Sequence, residues 1–591
     1  MLAISLMGAV PASASNTLNV PGNFPTVQAA IDASSNGDTV MVAPGTYFEN
    51  VSFKGKLITV QSTQGPNVTT IDGGGIAPVV NFSTSETSAA VLQGFTIQHG
   101  SAPFAYGYEG AGVHINRASP TIQGNLITAN TACGNGAGIS VSFASPTIRD
   151  NTITDNSKQP GCSGDSGGGI SVGGAASAQI IHNTITNNTT DFGGGISLFA
   201  AGTPTLLSNT ISNNTAVIEG GGIDIVNQSD APIVQNLITG NTSPRSGGGL
   251  YVLTPSGTRG PALVNNTLSG NSAPDSGVVL GGFDGQVQLF NNIIAAATSQ
   301  PAVLCDTTYS STPPIFDHND LFNSTGPATQ GSCSQVVGAG GNISAAPQFA
   351  SAGDYHLQAS SPAIDTGNNN APSLPSTDLG GGPRISGGAV DQGVYEFQQP
   401  LVLTMSSIPG SVEGAGFSAV LAHFSGGAGP YSAGVSWGDG QTSPGFIGAG
   451  NSVSGSHTYA EEGGYTLTVT VTDSTGATAG GTTSSSAADA AITLSGTRLT
   501  VHHRSNFTAI VATLSDGDPN GTAADYTGRI SWGDGATSTC PSTACTLAQV
   551  SGGFSVSGSH SYRRSRTYTV TIQLNDAGGS AASTTTTITA N

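Results

Sequence analysis

The amino-acid sequence predicts an all-β fold, a parallel β-helix followed by two β-sandwich modules, and three periodicities predict it. A Gly-rich turn leading into an apolar-x-apolar strand returns at 109–115 (EGAGVHI), 135–141 (NGAGISV), 166–172 (SGGGISV), 192–198 (FGGGISL), 219–225 (EGGGIDI) and 246–252 (SGGGLYV). The starts lie 26, 31, 26, 27 and 27 residues apart. A period of that size, with one unit per repeat that cannot bury its own apolar face, is the signature of a solenoid. Half a repeat later, asparagines stand at Asn125, Asn151, Asn183, Asn209, Asn236, Asn266 and Asn292, and a second set follows five residues on at Asn130, Asn156, Asn188, Asn214, Asn241 and Asn271. From about Leu401 the style changes to Thr/Val/Ser alternation, with two stretches of shared landmarks.

If each repeat is one coil, the asparagines stack at the strand spacing of about 4.8 Å, so each amide can donate to the carbonyl of the next. That satisfies turn groups that would otherwise be buried unpaired. Leucine-rich repeats also use an Asn ladder, but with a density of leucines that this chain lacks.

The length of 591 residues accommodates several parts: a leader-like segment at 1–14, the solenoid at 15–398, and sandwiches at 399–482 and 488–591. Glycine, at 85 residues, is about twice its usual share, and charged residues are 8% against roughly 25% in globular domains. Order is expected all the same, because 37% of residues are hydrophobic and they alternate as strands require. A balance of 14 Lys+Arg against 34 Asp+Glu, net −20, argues against a nucleic-acid or anionic-membrane partner. A polyanionic substrate would need a bridging cation.

The apolar run Met1–Val10, followed by Pro11-Ala12-Ser13-Ala14, reads as a secretory signal cleaved after Ala14, although it lacks a basic n-region. No other segment is long and apolar enough to span a bilayer, so the expectation is a secreted or cell-surface protein without a membrane span. Six cysteines suit that compartment. Cys133 and Cys162 each lie just before equivalent turns on successive repeats and are expected to pair; Cys305–Cys333 and Cys540–Cys545 follow as the local pairs.

Phe24–Ala33 (FPTVQAAIDA) predicts a short helix with Val27, Ala30 and Ile31 on one face, then strands at Thr39–Val42, Tyr47–Phe53 and Leu57–Gln61 between Pro-Gly and Lys-Gly-Lys turns. This start resembles the N-terminal cap of secreted right-handed parallel β-helix proteins of the pectate-lyase-like superfamily. The resemblance implies the right hand, which parallel crossovers favour in any case. The stretch Tyr355–Phe397 holds SPAIDTG, then Asp378-Leu379-Gly380, Arg384 and VDQGVYE at 390–396. It resembles the end segment of bacterial choice-of-anchor Q β-helix proteins. Further on, Trp437-Gly438-Asp439-Gly440, His457-Thr458-Tyr459 and Tyr465–Asp473 are matched by Trp532-Gly533-Asp534-Gly535, His560-Ser561-Tyr562 and Tyr568–Asp576. These landmarks resemble PKD modules, Ig-like sandwiches. Asp439 and Asp534 suit turns, the two Trp suit cores, and His457 and His560 are expected to bond locally rather than bind metal.

Chemistry has one place to concentrate. The middle residues of the aligned strands are His114, Ser140, Ser171, Ser197, Asp224 and Tyr251, expected to point outward, and the turns before them add Glu109, Asp165, Asp191, Glu219 and Arg245. In a chain so poor in charge this is a polar stripe. Asp165, Asp191, Glu219, Asp224 and Arg245 are the candidate catalytic residues, and Glu109, His114 and Tyr251 the candidate substrate contacts. Asp165 and Asp191 on successive coils would stand near the separation retaining glycosidases use, and the same pair suits a Ca²⁺ ion. Lyase chemistry would need a cation to neutralise a uronate and a base beside it, and Arg245 is the basic residue on the stripe. The catalytic phrases of polygalacturonases, alginate epimerases and pectate lyases are absent. The expected partner is an extracellular polysaccharide or cell-surface glycan, held by a monomer, with lyase or hydrolase activity as one branch and a non-catalytic adhesion or structural role as the other.

Overall fold

The computed structural model describes residues 15–103, 110–227, 229–254, 259–282, 287–297, 299–306, 314–474 and 476–591. The leader-like segment at 1–14 and the candidate contact Glu109 lie outside them. Two compact units result, Met1–Phe397 and Gln398–Asn591.

The first unit is a right-handed β-helix. One coil runs through the strands Val113–Asn116, Thr121–Gln123, Leu126–Thr128 and Thr131–Ala132, and the next begins at Ile139–Ser142. Stacked coils build a 12-stranded sheet, two of 11 strands and a short one of 5. Pairing is parallel and in register, Val113 on Ile139 and Ile139 on Ile170, because coils of nearly constant length bring the same position back over itself. Alternation turns every second residue inward, so Ile122, Ile127, Ile139 and Ile148 are buried in one core that extends from Leu18 to Cys333.

The Asn corners stack as the spacing predicts. Asn209 Nδ2 donates to Asn236 Oδ1 at 2.9 Å and to Ile180 O at 2.8 Å, while its own Oδ1 accepts from Asn183 N at 2.9 Å and Asn183 Nδ2 at 3.0 Å. The residue before each corner takes the left-handed conformation, as at Asp150, His182 and Ser208 (φ 57°, 54° and 55°), which turns the chain sharply enough to aim the amide inward. The ladder runs beyond Asn292 through Asn319 to Asn342. These two rungs stand in phrases that no longer repeat, which hid them in the sequence.

The helix is Val27–Ala33, three residues shorter at its start than expected. Thr26 caps it through Ala29 N, and the Glu49 carboxylate accepts from both Val27 N and Gln28 N at 2.9 Å, neutralising the open N–H groups of the first turn. The expected strand Tyr47–Phe53 divides into Gly45–Phe48 and Val51–Ser52. Between them Glu49 serves the helix and Asn50 Nδ2 binds Ala77 O and Pro78 O, so the chain turns a corner there.

The segment with the end-motif residues folds into a polar knot against the solenoid. Buried Arg384 donates to Val394 O and pairs with Glu396 at 3.1 Å; Glu396 also accepts from Ser386 N and Asp391 N. Asp391 accepts from Asp365 N, and Asp378 from Gly382 N and Glu396 N. Asn265 Nδ2 donates to Asp391 O, and Val394 N to Thr267 Oγ1, which ties the knot to the coils. The acidic and basic residues of these motifs serve one another, so their role here is structural.

In the second unit, two β-sandwiches repeat one internal network. Trp437 and Trp532 are buried, and the hydroxyls of Tyr459 and Tyr562 donate to their carbonyls at 3.0 Å. His457 Nε2 lies 2.8 Å from Asp439 Oδ2 and His560 Nε2 3.0 Å from Asp534 Oδ2, each imidazole stacked on the Trp. The histidines bond locally, as expected. All three disulfides join the expected pairs: Cys133–Cys162, Cys305–Cys333 and Cys540–Cys545.

Candidate functional site

The Gly turns decide what becomes of the polar stripe. Gly167, Gly193, Gly220 and Gly247 hold φ between 57° and 69°, and the turn they make doubles back over the strand that follows. A Cβ on Gly193 would stand 2.3 Å from Ile196 O, and one on Gly220 2.6 Å from Asp224 Cβ. His114, Ser140, Ser171, Ser197, Asp224 and Tyr251 do stack in one row. They point away from the solenoid core, but their own turns cover them: all are buried except Tyr251, which is half-buried. The expectation of an open stripe is corrected accordingly.

The turn residues fall into two rows rather than one. Bridges align Asn135, Ser166, Phe192, Glu219 and Ser246. Asp165, Asp191 and Arg245 each precede that row by one residue, and neighbours along an extended chain face opposite ways. Asp165 and Asp191 are therefore adjacent, as expected, but enclosed at 1% and 3% exposure. Lys158 Nζ donates to Asp191 Oδ1 and Gly164 N to Asp191 Oδ2. Asp165 Oδ2 has no hydrogen-bond partner, and burial, then the Asp191 charge, push this carboxyl up to about 6. Lys158 supplies the positive charge that the sequence reading assigned to Ca²⁺ at this pair. The sequence reading passed over Lys158 because it lies outside the repeated phrases; its one signal is that the chain has only three lysines.

A cleft of about 480 Å³ crosses the coils beside this row. Its lining comes from three stacked rows: Asn135, Ser166, Phe192 and Glu219 from the turns, Ser197 and Asp224 from the covered middle positions, and Phe199, Val226 and Leu253 from the strand ends. Phe199 is 54% exposed and Leu253 38%, so the cleft offers apolar faces to solvent. At its polar end burial pushes the Glu219 carboxyl upward, a shift opposed by a hydrogen bond from Tyr251 and by exposed Arg245. Burial and the charge of Glu219 push the Tyr251 phenol up to about 12. Asp224 is held well above the usual carboxylate range by burial and then by Glu219, and its Oδ1 lacks a partner. Two neighbouring carboxyls, the more buried one held well above the usual range, are the residue types that general acid and base catalysis uses.

Glu219, Asp224, Arg245 and Tyr251 are thus brought together. His114 is not: it stands four rungs from Asp224, roughly 19 Å at the strand spacing, and burial lowers its imidazole below the ordinary range. The cleft residues that sequence reasoning missed are Phe192, Phe199 and Leu253, whose apolar side chains read as ordinary strand residues until the coils stack.

Residues 111–294 match the family described as right handed beta helix region. No curated protein matches the chain at a significant level. Among solved structures, the chain is similar to the fibronectin(III)-like modules of Clostridium thermocellum CbhA, at 13% identity over 32% of this chain and 94% of that one, with a TM-score of 0.13. It is also similar to a tetra-tandem repeat in the extending region of a large adhesion protein, at 16% identity over 32% and 49% with a TM-score of 0.20, and to mouse Cadherin-23 EC22-24, at 12% over 32% and 64% with a TM-score of 0.18. At those TM-scores the likenesses carry no argument about function. The β-helix fold supports a polysaccharide-related or extracellular role at most. Three disulfides are compatible with an extracellular setting. Among the described residues no helix is long and apolar enough to cross a membrane.

Proposed function

We propose that this protein is an exported polysaccharide-binding β-helix protein whose glycan site is the cleft between Asn135 and Leu253, with two PKD-like modules as spacers. The observation that carries the reading is the pairing of exposed Phe199 and half-buried Phe192 with the polar groups Glu219 and Asp224 in one cleft. Apolar faces with a few convergent polar groups are what a sugar-sized ligand needs. A cleft that crosses several coils also suits a chain of sugars better than a single one. The leader-like start and the disulfides support export.

A second reading, hydrolysis, is favoured by one observation: two carboxyls, Glu219 and Asp224, line the same cleft, and burial and then Glu219 hold Asp224 well above the usual carboxylate range. Asp224 would protonate a leaving oxygen and Glu219 would act as the base or nucleophile. The competing role, a non-catalytic adhesion or structural protein, keeps the binding cleft and drops the chemistry.

The test is a panel of plant, algal and bacterial polysaccharides. Binding to at least one member is expected, about tenfold weaker in Phe199→Ala and unchanged in Asp191→Asn. Reducing ends that form in the wild type and vanish in Glu219→Gln establish hydrolysis, and unsaturated products would replace it with elimination. No binding across the panel sinks the reading.

A further inference from the structure

The second unit carries a group of carboxylates with no ion-pair partner among the described residues. Glu413, Glu461 and Glu462 each bring an oxygen within 4.8 Å of the others. Glu413 is 3% exposed; its Oε1 accepts from Ala490 N at 2.8 Å, but its Oε2 is buried without a hydrogen-bond partner. Asp489 repeats the arrangement, with Oδ2 accepting from Ser580 N and Oδ1 buried and unpartnered. Burial first, then the facing carboxyls of Glu462 and Asp489 and the charge of Asp518, push Glu413 up to about 7. Among the described residues the ion pairs of this unit are His457 with Asp439 and His560 with Asp534, both elsewhere. A buried carboxylate with an open lone pair is costly unless a proton or another positive charge meets it.

The group lies where the two sandwiches meet. Glu413 follows the short strand Ser411–Val412, and Glu461 and Glu462 precede the strand Gly463–Thr472 of the same sandwich. Asp489 follows Thr478–Ala488 in the connector, and Asp518 comes after Phe507–Ser515 of the second sandwich. Asn520 of the second sandwich donates to Glu461 Oε1 at 2.8 Å, and Gly414 (φ 67°) approaches so closely that a Cβ there would stand 2.0 Å from Gly517 O.

We propose that Glu413, Glu461 and Glu462 bind a Ca²⁺ ion that locks the first sandwich to the second, with Asp489 and Asp518 adding negative charge around it. The donor set is all oxygen and mostly carboxylate, which selects a hard cation. Ca²⁺ bonds at about 2.3–2.6 Å, so oxygens up to 4.8 Å apart can flank one ion. Zn²⁺ prefers nitrogen and sulfur, and neither His nor Cys belongs to the group. Mg²⁺ demands a smaller octahedron that it fills largely with water.

The full-length protein, stripped with EGTA, tests this by Tb³⁺ luminescence and by melting. Tyr465, whose hydroxyl donates to Glu461 O at 2.8 Å, is placed to sensitise the lanthanide. Tb³⁺ emission displaced by Ca²⁺ with a Kd of roughly 10⁻⁴–10⁻³ M is expected, together with a Ca²⁺-dependent rise in melting temperature. Both responses should vanish in Glu413→Gln and in Glu462→Gln; the latter is exposed and leaves the core intact. Glu413→Gln should also reverse sign, melting above the wild type in EGTA and below it in Ca²⁺, which a merely structural residue would not do. Wild-type melting and emission that ignore Ca²⁺ up to about 10 mM, or a response that survives both variants, overturns the proposal.

Discussion

The two edges of the solenoid treat polar groups in opposite ways. At the Asn corners every amide is buried and every one is served: Asn151, Asn183, Asn209 and Asn236 hand hydrogen bonds from coil to coil with no atom left over. At the Gly turns, Asp165 and Asp224 are equally buried, yet Asp165 Oδ2 and Asp224 Oδ1 have no hydrogen-bond partner. The difference teaches how to read a repeat protein. A residue that recurs in every coil satisfies its copies above and below, so its conservation of position explains stacking. A residue that interrupts the row finds no copy of itself to bond. Its burial then costs stability, and that cost marks where something other than stacking is served.

The sharpest way to break the contrast is Asn209→Ala. It strips partners from Asn183 N, Ile180 O and Asn236 Oδ1 at once, and should destabilise the solenoid by about 4 kcal/mol, read from the denaturant midpoint. Replacing both Cys133 and Cys162 by Ser comes next. The pair closes 29 residues over the Asp165–Asp191 edge, so its loss should cost about 3.5 kcal/mol in the same measurement.

The third experiment has the opposite sign. The folded-state pKa of Asp165 is raised from 3.8 to about 6. Its penalty is absent below the unfolded value, grows as pH rises through that window and is full above it. Asp165→Asn should therefore match the wild type near pH 3 and exceed it by up to about 3 kcal/mol at pH 7. A variant that loses stability at pH 7 would show that the favourable contacts of this carboxyl, the backbone N–H of Gly134 and the charge of Lys158, outweigh its burial. Smallest is Phe199→Ala, which leaves folding unchanged and weakens glycan binding by about 1.4 kcal/mol, measured by affinity electrophoresis or calorimetry.

Much of this was legible in the sequence because a solenoid writes its geometry as spacing. The 26- and 27-residue returns predict the register, the Asn phrases predict the ladders, and the equivalent turns after Cys133 and Cys162 predict that pair. The N-terminal strand was read less well, since the corner at Glu49-Asn50 depends on a helix and a carbonyl row that local pattern does not contain. The candidate site was legible as a set of polar residues, and Glu219, Asp224, Arg245 and Tyr251 do gather. Asp165 and Asp191 stand apart from them, enclosed where Lys158 Nζ and Gly164 N serve Asp191, contacts that no spacing of the repeat predicts.

The sequence by itself determined that the coils stack, which residues face inward and which cysteines meet, since each follows from a period and a two-residue alternation. The tertiary structure alone decided what lies open. Whether a turn doubles over its strand, whether Lys158 reaches Asp191, and whether Phe192 and Phe199 frame a cleft or lie under cover all depend on how neighbouring coils and turns occupy space. Exposure is a property of the packed surface, and no spacing along the chain encodes it.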